Sequence, residues 1–296
     1  MQALWMVLAA FCFATMAVGI KVASGSFSLM ELVFYRGVIS IFFMGAVLRA
    51  RGTPLASPVP LMHAWRSAIG VFSLTAWFYA IGHLPLATAM TLNYMSGVWV
   101  AAFVVGGALL YGKSTSQGPL MATVLAGFAG VVMMLRPTLD QNQLFAGLIG
   151  LLSGLGASLA YLQVTALGKV GEPEGRTVFY FSIGTAATGL VGVVLFDGFT
   201  AWHTVSWQAA AWLLPIGVLA SLGQWAMTRA FSRGATLLVA NLQYAGIVFA
   251  AFYSLLLFGE QIAPIAWAGM AVIVASGVAA TILRTRVLPN TPAEDH

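Results

Sequence analysis

The chain has 296 residues, of which 60% are hydrophobic and 7% are charged, whereas a typical soluble domain carries about 25% charged residues. This is too little charge to cover a globule in water, so we expect an integral membrane protein. The formal net charge of +5 does not indicate a nucleic-acid partner, because the basic residues stand singly at the ends of apolar runs and form no basic face.

Apolar runs follow one another along the chain, and ten of them have close to the roughly 20 residues that a helix needs to cross a bilayer. They cover residues 3–20, 30–48, 65–82, 86–110, 119–135, 145–167, 178–196, 209–230, 235–258 and 264–283. Strands of a membrane barrel would alternate polar and apolar residues, so all ten runs are predicted to be transmembrane helices. No basic residue precedes the first run, and we therefore expect a retained helix and not a cleaved signal peptide.

The two halves of the chain repeat one pattern at a spacing of 148 residues, half of the 296-residue length. The matching pairs are Ala87 with Ala235, Thr88 with Thr236, Asn93 with Asn241, and Lys21-Val22 with Lys169-Val170. Several matches in one order indicate an internal duplication. We predict one unit over residues 1–140 and a second over residues 141–296, each with five helices.

The positions of lysine and arginine predict the orientation. If the amino terminus is cytoplasmic, ten of the 13 basic residues fall on the cytoplasmic side. These ten are Arg49, Arg51, Arg66, Lys113, Lys169, Arg176, Arg229, Arg233, Arg284 and Arg286, and the outer three are Lys21, Arg36 and Arg136. The positive-inside rule therefore favours both termini in the cytoplasm. Since each unit has an odd number of spans, the repeats are inverted, as in transporters that expose one central site alternately to each side.

Two segments also carry a family resemblance. They are Leu257-Phe258-Gly259-Glu260, with Gly269 and Gly277 in the following helix, and Val33-Phe34-Tyr35-Arg36 in the second helix. The first is similar to the repeat ending of EamA-type members of the drug/metabolite transporter superfamily, and the second resembles their second-helix arginine. Phe181 stands where the second copy would carry that arginine, and Gly112-Lys113 stands where Gly-Glu is usual. The aromatic residues on the inner helices most resemble those of YddG-type exporters of aromatic amino acids, which implies a multi-pass exporter of the inner cell membrane.

Polar side chains within the spans indicate which helices face an interior, because an unpaired polar group is costly in lipid. Ser221, Gln224, Trp225 and Thr228 form one stripe of helix eight, and helices three and six carry similar stripes. Helices five and ten instead carry small residues every four positions, a pattern typical of close packing. We therefore expect helices one, three, four, six, eight and nine around a cavity and the other four outside, an arrangement that the resemblance also implies.

The predicted substrate-binding residues are Tyr79, Asn93, Trp99, Tyr161, Gln224, Asn241 and Tyr244. The two asparagines each lie about six residues, or roughly 9 Å, into a span, on helices that enter from opposite faces. Both amides would then approach the midplane, where inverted-repeat transporters bind substrate; the alternative is that they bond neighbouring helices. Gly97 and Gly246 are candidate hinges in the same two helices, although glycine at such positions also serves packing.

Charged residues bear on the energy source. Arg36 lies about one and a half turns into helix two and is interpreted as an anchor at the outer interface, with attraction of a substrate carboxylate as the alternative. No Asp or Glu lies in the middle of a span, whereas proton- or sodium-coupled carriers commonly place carboxylates there. This favours movement down a gradient and leaves proton coupling through a histidine open.

We predict a carrier of small uncharged or zwitterionic metabolites, above all amino acids, including aromatic ones. The alternatives are a proton-coupled carrier of the same superfamily for nucleotide sugars, polyamines or cationic drugs, or a channel or lipid-facing scaffold. Phosphates call for several inward cations and polyamines for inward carboxylates, and neither is expected in the inner spans. An enzyme is not expected, because clustered Asp, a metal-binding His set and a nucleophile with a base are all missing. The expected partners are the substrate and the lipid bilayer, with no metal, cofactor or obligatory protein partner.

Overall fold

The computed structural model describes residues 4–99, 103, 118–140, 143–200, 205–233, 239 and 242–287. Within this part of the chain ten α-helices follow one another. They are α1 (Leu4–Ala23), α2 (Leu29–Ala50), α3 (Pro60–His83), α4 (Leu86–Tyr94), α5 (Gly118–Asp140), α6 (Leu144–Lys169), α7 (Glu174–Gly192), α8 (Trp207–Arg233), α9 (Ala245–Phe258) and α10 (Pro264–Val287). A π-helical turn, Val193–Asp197, continues α7.

The described helices form a multi-pass membrane protein. Five of them, α1, α2, α6, α7 with its π-helical turn, and α8, are long and apolar enough to cross a bilayer. Their outward faces are apolar as well, since side chains such as Phe42 and Val194 are largely exposed. Such faces suit lipid tails, because helices satisfy their own backbone hydrogen bonds without water.

Three helix boundaries differ from the sequence-based expectation. Helix α3 begins at Pro60, five residues before the predicted start, because proline suits the first helical position, where its missing N–H needs no partner. Helix α4 ends at Tyr94 with a cap at Met95, and most of the remaining predicted span lies outside the described residues. Helix α9 begins at Ala245, and the predicted span's first residues, 235–238, also lie outside them.

The helices pack in pairs that join the two halves of the chain. The most extensive pairings are α1 with α8, α2 with α7, α3 with α6, and α5 with α10, and α4 also packs against α9. At the α2–α7 crossing the backbones touch. A Cβ at Gly37 would lie 2.5 Å from the backbone nitrogen of Ala186, and one at Gly189 would lie 2.4 Å from that of Phe34. Only glycine fits these two positions, as at close helix crossings in membranes.

Candidate functional site

A cavity of about 50 Å³ lies inside the bundle, bordered by α1, α3, α4, α6, α7 and α8. Its polar lining residues are Arg66, Ser73, Asn93, Tyr94, Tyr161 and Gln224, and its apolar lining residues are Phe13, Gly70, Leu74, Trp77, Ala157, Ala160, Phe181 and Met227. At roughly 10–15 Å³ per water, the volume suits a few water molecules. It is therefore a small, mainly apolar pocket with six polar side chains in its wall.

Asn93 is fixed to the helices around it. Its side-chain nitrogen donates to Ser153 Oγ at 3.0 Å, and Ser153 Oγ donates to the carbonyl of Gly150 at 2.6 Å. Ser73 Oγ donates to the Ser153 carbonyl at 2.8 Å. Asn93 thus borders the cavity while its amide nitrogen helps to join α4 to α6. Both interpretations of Asn93, cavity lining and helix bonding, apply to this side chain.

Two further predicted residues lie in the lining. Tyr161 of α6 stacks on Phe231 of α8, with ring centroids 5.0 Å apart, which fixes the plane of the ring. Gln224 of α8 accepts a hydrogen bond from Arg66 Nη2 at 3.3 Å. Asn93, Tyr161 and Gln224 therefore face one cavity from three helices.

Three other predicted substrate residues, Tyr79, Trp99 and Tyr244, are not part of this lining. Tyr79 stacks on His83 at 4.1 Å between ring centroids, one turn further along α3. Trp99 packs edge-on against Phe128 of α5 at 5.0 Å. Tyr244 is buried against Gly97 of the α4 region, and Asn241 lies outside the described residues.

The cavity contains an arginine that the sequence analysis placed at the cytoplasmic end of a span. Because α3 begins at Pro60, Arg66 lies in the second turn of the helix and is only 3% exposed. Its guanidinium carbon is 4.3 Å from the ring centroid of Phe181. The proline at the start of α3 is the sequence signal that Arg66 belongs to the helix and not to the preceding loop.

Arg36 approaches the same ring from α2. It is 1% exposed, donates to Thr185 Oγ1 at 3.5 Å, and its guanidinium carbon lies 5.3 Å from the Phe181 centroid. The expectation of an interface anchor is therefore wrong, since this side chain is directed into the protein. Phe181 also brings α7, which was expected outside, into the cavity wall.

Each of the two candidate hinge glycines packs against a tyrosine of the opposite segment. A Cβ at Gly97 would lie 2.6 Å from Tyr244 Oη, and a Cβ at Gly246 would lie 2.4 Å from Tyr94 Oη. The contact is reciprocal, because Tyr94 and Gly97 are neighbours in one segment and Tyr244 and Gly246 are neighbours in the other. Each segment contributes one tyrosine and one glycine. Both glycines therefore have a packing role where α4 meets α9.

A carboxylate organises each end of the bundle. At the end where α1 meets α2, Glu260 pairs with Lys21 Nζ at 2.7 Å and accepts the backbone N–H of Leu86 at 2.9 Å. Ser254 Oγ also donates to Glu260, and Lys21 donates to the Leu84 carbonyl at 2.6 Å. We call this group the Lys21 cluster.

The opposite end holds a second group, the Glu172 cluster, in which Glu172 contacts His63 at 2.8 Å and Arg176 at 2.5 Å. Burial raises the pKa of Glu172, but hydrogen bonds from Arg176, His63 and Ser57 outweigh burial and hold the pKa below its usual value. The cluster therefore stays charged and joins α3 to the α6–α7 connection at neutral pH.

No group of three or more His, Cys, Asp or Glu side chains that would suit a metal ion is found among the described residues. The chemistry of the cavity is instead that of hydrogen-bond donors, amide oxygens, aromatic rings and guanidinium groups. Groups of this kind can bind and orient a small molecule through hydrogen bonds and ring contacts.

Sequence comparison decides the family. Residues 1–136 match the model of the EamA-like transporter family. The chain is 33% identical over 278 residues to the pseudopaline exporter CntI of Pseudomonas aeruginosa, covering 92% of this chain and 93% of the relative. The chain belongs to the EamA-like transporter family. Its membrane fold and helical architecture are therefore those of a transporter.

Two further comparisons extend this result. An S-adenosylmethionine uptake transporter of Rickettsia prowazekii is 24% identical over 238 residues, covering 78% of this chain and 75% of the relative. A solved crystal structure superposes with a TM-score of 0.69 at 21% identity, covering 96% of this chain and 98% of the other. At this identity the structural likeness concerns the fold alone.

Proposed function

We propose that this protein is a carrier of the inner cell membrane that moves amino acids, including aromatic ones, by alternating access. The observation that carries the proposal is the convergence of Asn93, Tyr161, Gln224 and Arg66, from four helices, on one internal cavity. Polar groups at this depth of an apolar bundle mark substrate pathways, because their burial is otherwise unfavourable. Phe13, Trp77 and Phe181 supply apolar walls for an aromatic side chain.

The proposed architecture is two inverted repeats of five helices, over residues 1–140 and 141–296, with both termini in the cytoplasm. The helix pairings support it. In such a repeat each helix corresponds to the one five positions away, so α1 corresponds to α6 and α3 to α8. The α1–α8 pair then corresponds to the α3–α6 pair, and both are observed. The pairs α2–α7, α4–α9 and α5–α10 each correspond to themselves, and they are observed as well. The reciprocal contacts of Tyr94 with Gly246 and Tyr244 with Gly97 follow the same exchange.

Alternating access requires the cavity to open to one face at a time. The Lys21 cluster joins α1, α4 and the residues after α9 at the end proposed to be outside. The Glu172 cluster joins α3 to the start of α7 at the proposed cytoplasmic end. Separating one cluster while the other stays intact would open the cavity in one direction, and a cavity of about 50 Å³ must widen to admit an amino acid.

A cationic drug or polyamine fits this cavity less well than an amino acid. Its described lining includes Arg66 and no Asp or Glu, so a cation would meet a like charge. The relatives named for pseudopaline export and S-adenosylmethionine uptake support a small metabolite as the substrate class.

The test is counterflow in liposomes that contain the purified protein, with labelled phenylalanine, tryptophan and threonine, with and without an imposed pH gradient. Saturable counterflow that ignores the pH gradient is the expected result, because no carboxylate lines the described part of the cavity. Absence of flux for all three amino acids in a folded preparation would overturn the substrate assignment.

A further inference from the structure

We propose that the group recognised at Arg66 is a carboxylate, so that the carrier prefers molecules with a net negative charge to zwitterions and cations of the same shape. This inference rests on the proposed function and ranks its substrates: amino acids are carried, and anions of the same shape are carried faster. It starts from the free hydrogen-bond donors of Arg66. Nη2 donates to Gln224 at 3.3 Å, whereas Nε and Nη1 have no hydrogen-bond partner among the described residues.

The chain treats its other buried arginine at a helix start differently. Arg176 forms a two-pronged ion pair with Glu172 through Nε at 2.5 Å and Nη2 at 2.9 Å, and donates to backbone carbonyls as well. Neither Arg66 nor Arg36 forms an ion pair with any described residue. A buried guanidinium without a counter-charge is unfavourable for stability. Its presence beside a cavity fits a charge that arrives with the substrate.

A second positive charge reinforces the first. Arg36 and Arg66 lie against the same ring, with guanidinium carbons 5.3 Å and 4.3 Å from the Phe181 centroid. The ring face attracts both cations but cannot neutralise them. Arg36 also leaves its Nε without a partner in the described structure. An anion near Arg66 would thus be attracted by two charges, one in direct contact and one behind the ring.

The shape of Arg66 favours a planar anion. Its Nη1 lies where a side chain at Gly70 would begin, since a Cβ there would be only 1.8 Å from Nη1. The absence of that Cβ lets the guanidinium fold back along α3 beside the cavity. A guanidinium matches the two oxygens of a carboxylate with Nη2 and either Nε or Nη1, so Nη2 would contribute the N–H that it does not donate to Gln224.

The opposite charge of an amino acid has no comparable partner. An ammonium group is best matched by carboxylates, and the described cavity lining contains the uncharged oxygens of Ser73, Asn93, Tyr94, Tyr161 and Gln224 but no carboxylate. One of these, Gln224 Oε1, already accepts from Arg66. Removing or acylating the amino group should therefore improve binding, while removing the carboxylate should abolish it.

The experiment uses four probes that share a phenyl group: N-acetylphenylalanine and phenylpyruvate as anions, phenylalanine as the zwitterion, and phenethylamine as the cation. Counterflow of each is measured in liposomes that contain the full chain. We expect both anions to exchange about tenfold or more faster than phenylalanine at low concentration, because hydrogen bonds to charged groups discriminate on this scale, and no exchange of phenethylamine. Equal or faster exchange of phenylalanine would overturn the inference and leave the proposed function intact. No exchange of any probe would overturn both.

Variants test whether Arg66 causes the preference for anions. Arg66→Gln should remove the advantage of the anions over phenylalanine, and Arg66→Lys should keep part of it, since lysine retains the charge without the fork. Gly70→Ala moves the same charge without removing it and should also reduce the advantage. Arg49→Gln, at an exposed position near the end of α2, is the control and should leave the preference unchanged. Retention of the full anion preference in Arg66→Gln would refute the assignment, and the wild-type probe series decides the matter if that variant does not fold.

Discussion

The contact of Gly97 with Tyr244 predicts that the effect of Gly97→Ala on the free energy of unfolding depends on whether residue 244 is tyrosine or phenylalanine. A Cβ at position 97 would lie 2.6 Å from Tyr244 Oη but 3.6 Å from Cζ, so the hydroxyl alone causes the clash. In the wild-type protein Gly97→Ala should destabilise by about 1–3 kcal/mol, the usual range for overpacking. Tyr244→Phe alone should be neutral or stabilising, because that hydroxyl has no partner in the described structure.

In the Tyr244→Phe background the same Gly97→Ala change should be neutral or stabilise by up to about 1 kcal/mol, the intrinsic helix preference of alanine over glycine. The measurement is reversible denaturation of all four proteins in detergent micelles, which gives the coupling free energy directly. Single-variant effects that add to within about 0.5 kcal/mol would refute the assigned contact. Counterflow by the double variant also tests the hinge: wild-type rates without a glycine at position 97 would leave Gly97 a packing role only.

Further predictions concern the two ends and the α2–α7 crossing. Because the pKa of Glu172 is lowered in the folded protein, its charge stabilises the fold above the unfolded pKa of about 4.3, and this contribution is lost as pH falls through the folded pKa. Glu172→Gln should thus be less stable at pH 7 yet lose less stability than wild type on acidification, as measured by thermal unfolding between pH 7 and pH 3; a parallel pH dependence would contradict this. Glu260→Gln should raise hydrogen exchange at the Leu86 amide about tenfold, since that N–H loses a charged acceptor, and unchanged exchange would count against the Lys21 cluster. Gly189→Ala should cost about 2 kcal/mol or more, because its Cβ would meet backbone, whereas Gly25→Ala, with its nearest atom at 3.7 Å, should cost little in the same denaturation assay.

Much of the helix order was predictable because apolar run length is a direct consequence of bilayer thickness. Polar stripes predicted that Tyr161 and Gln224 face inward, and depth in the span indicated Asn93; all three lie in the cavity wall. The same periodicity indicates only the direction in which a side chain points from its helix axis. It does not identify the residue that this side chain contacts. Tyr79 therefore proved to stack on His83, and Trp99 on Phe128.

The arginines were the larger omission. Counting charges near span ends treats every arginine within two turns of an end alike, and the count placed Arg66 at the interface. Whether such a side chain extends to water or folds inward depends on the small residue beside it, here Gly70, and on an aromatic ring from a distant part of the chain, here Phe181. The second condition belongs to tertiary structure and cannot be obtained from one helix.

Phe181 makes the interior asymmetric within helix pairings that are close to symmetric. The ring contacts both Arg36 and Arg66. Position 181 carries this phenylalanine where the first half of the chain carries Arg36. A molecule bound in the proposed carrier therefore meets different groups towards the two faces of the membrane. For the proposed carrier this means different half-saturation concentrations on the two sides. Without a gradient or a membrane potential an uncoupled carrier cannot shift the equilibrium ratio from unity. The maximal rates inward and outward must then differ by the same factor as the half-saturation concentrations, and the charges gathered at this ring contribute to that difference.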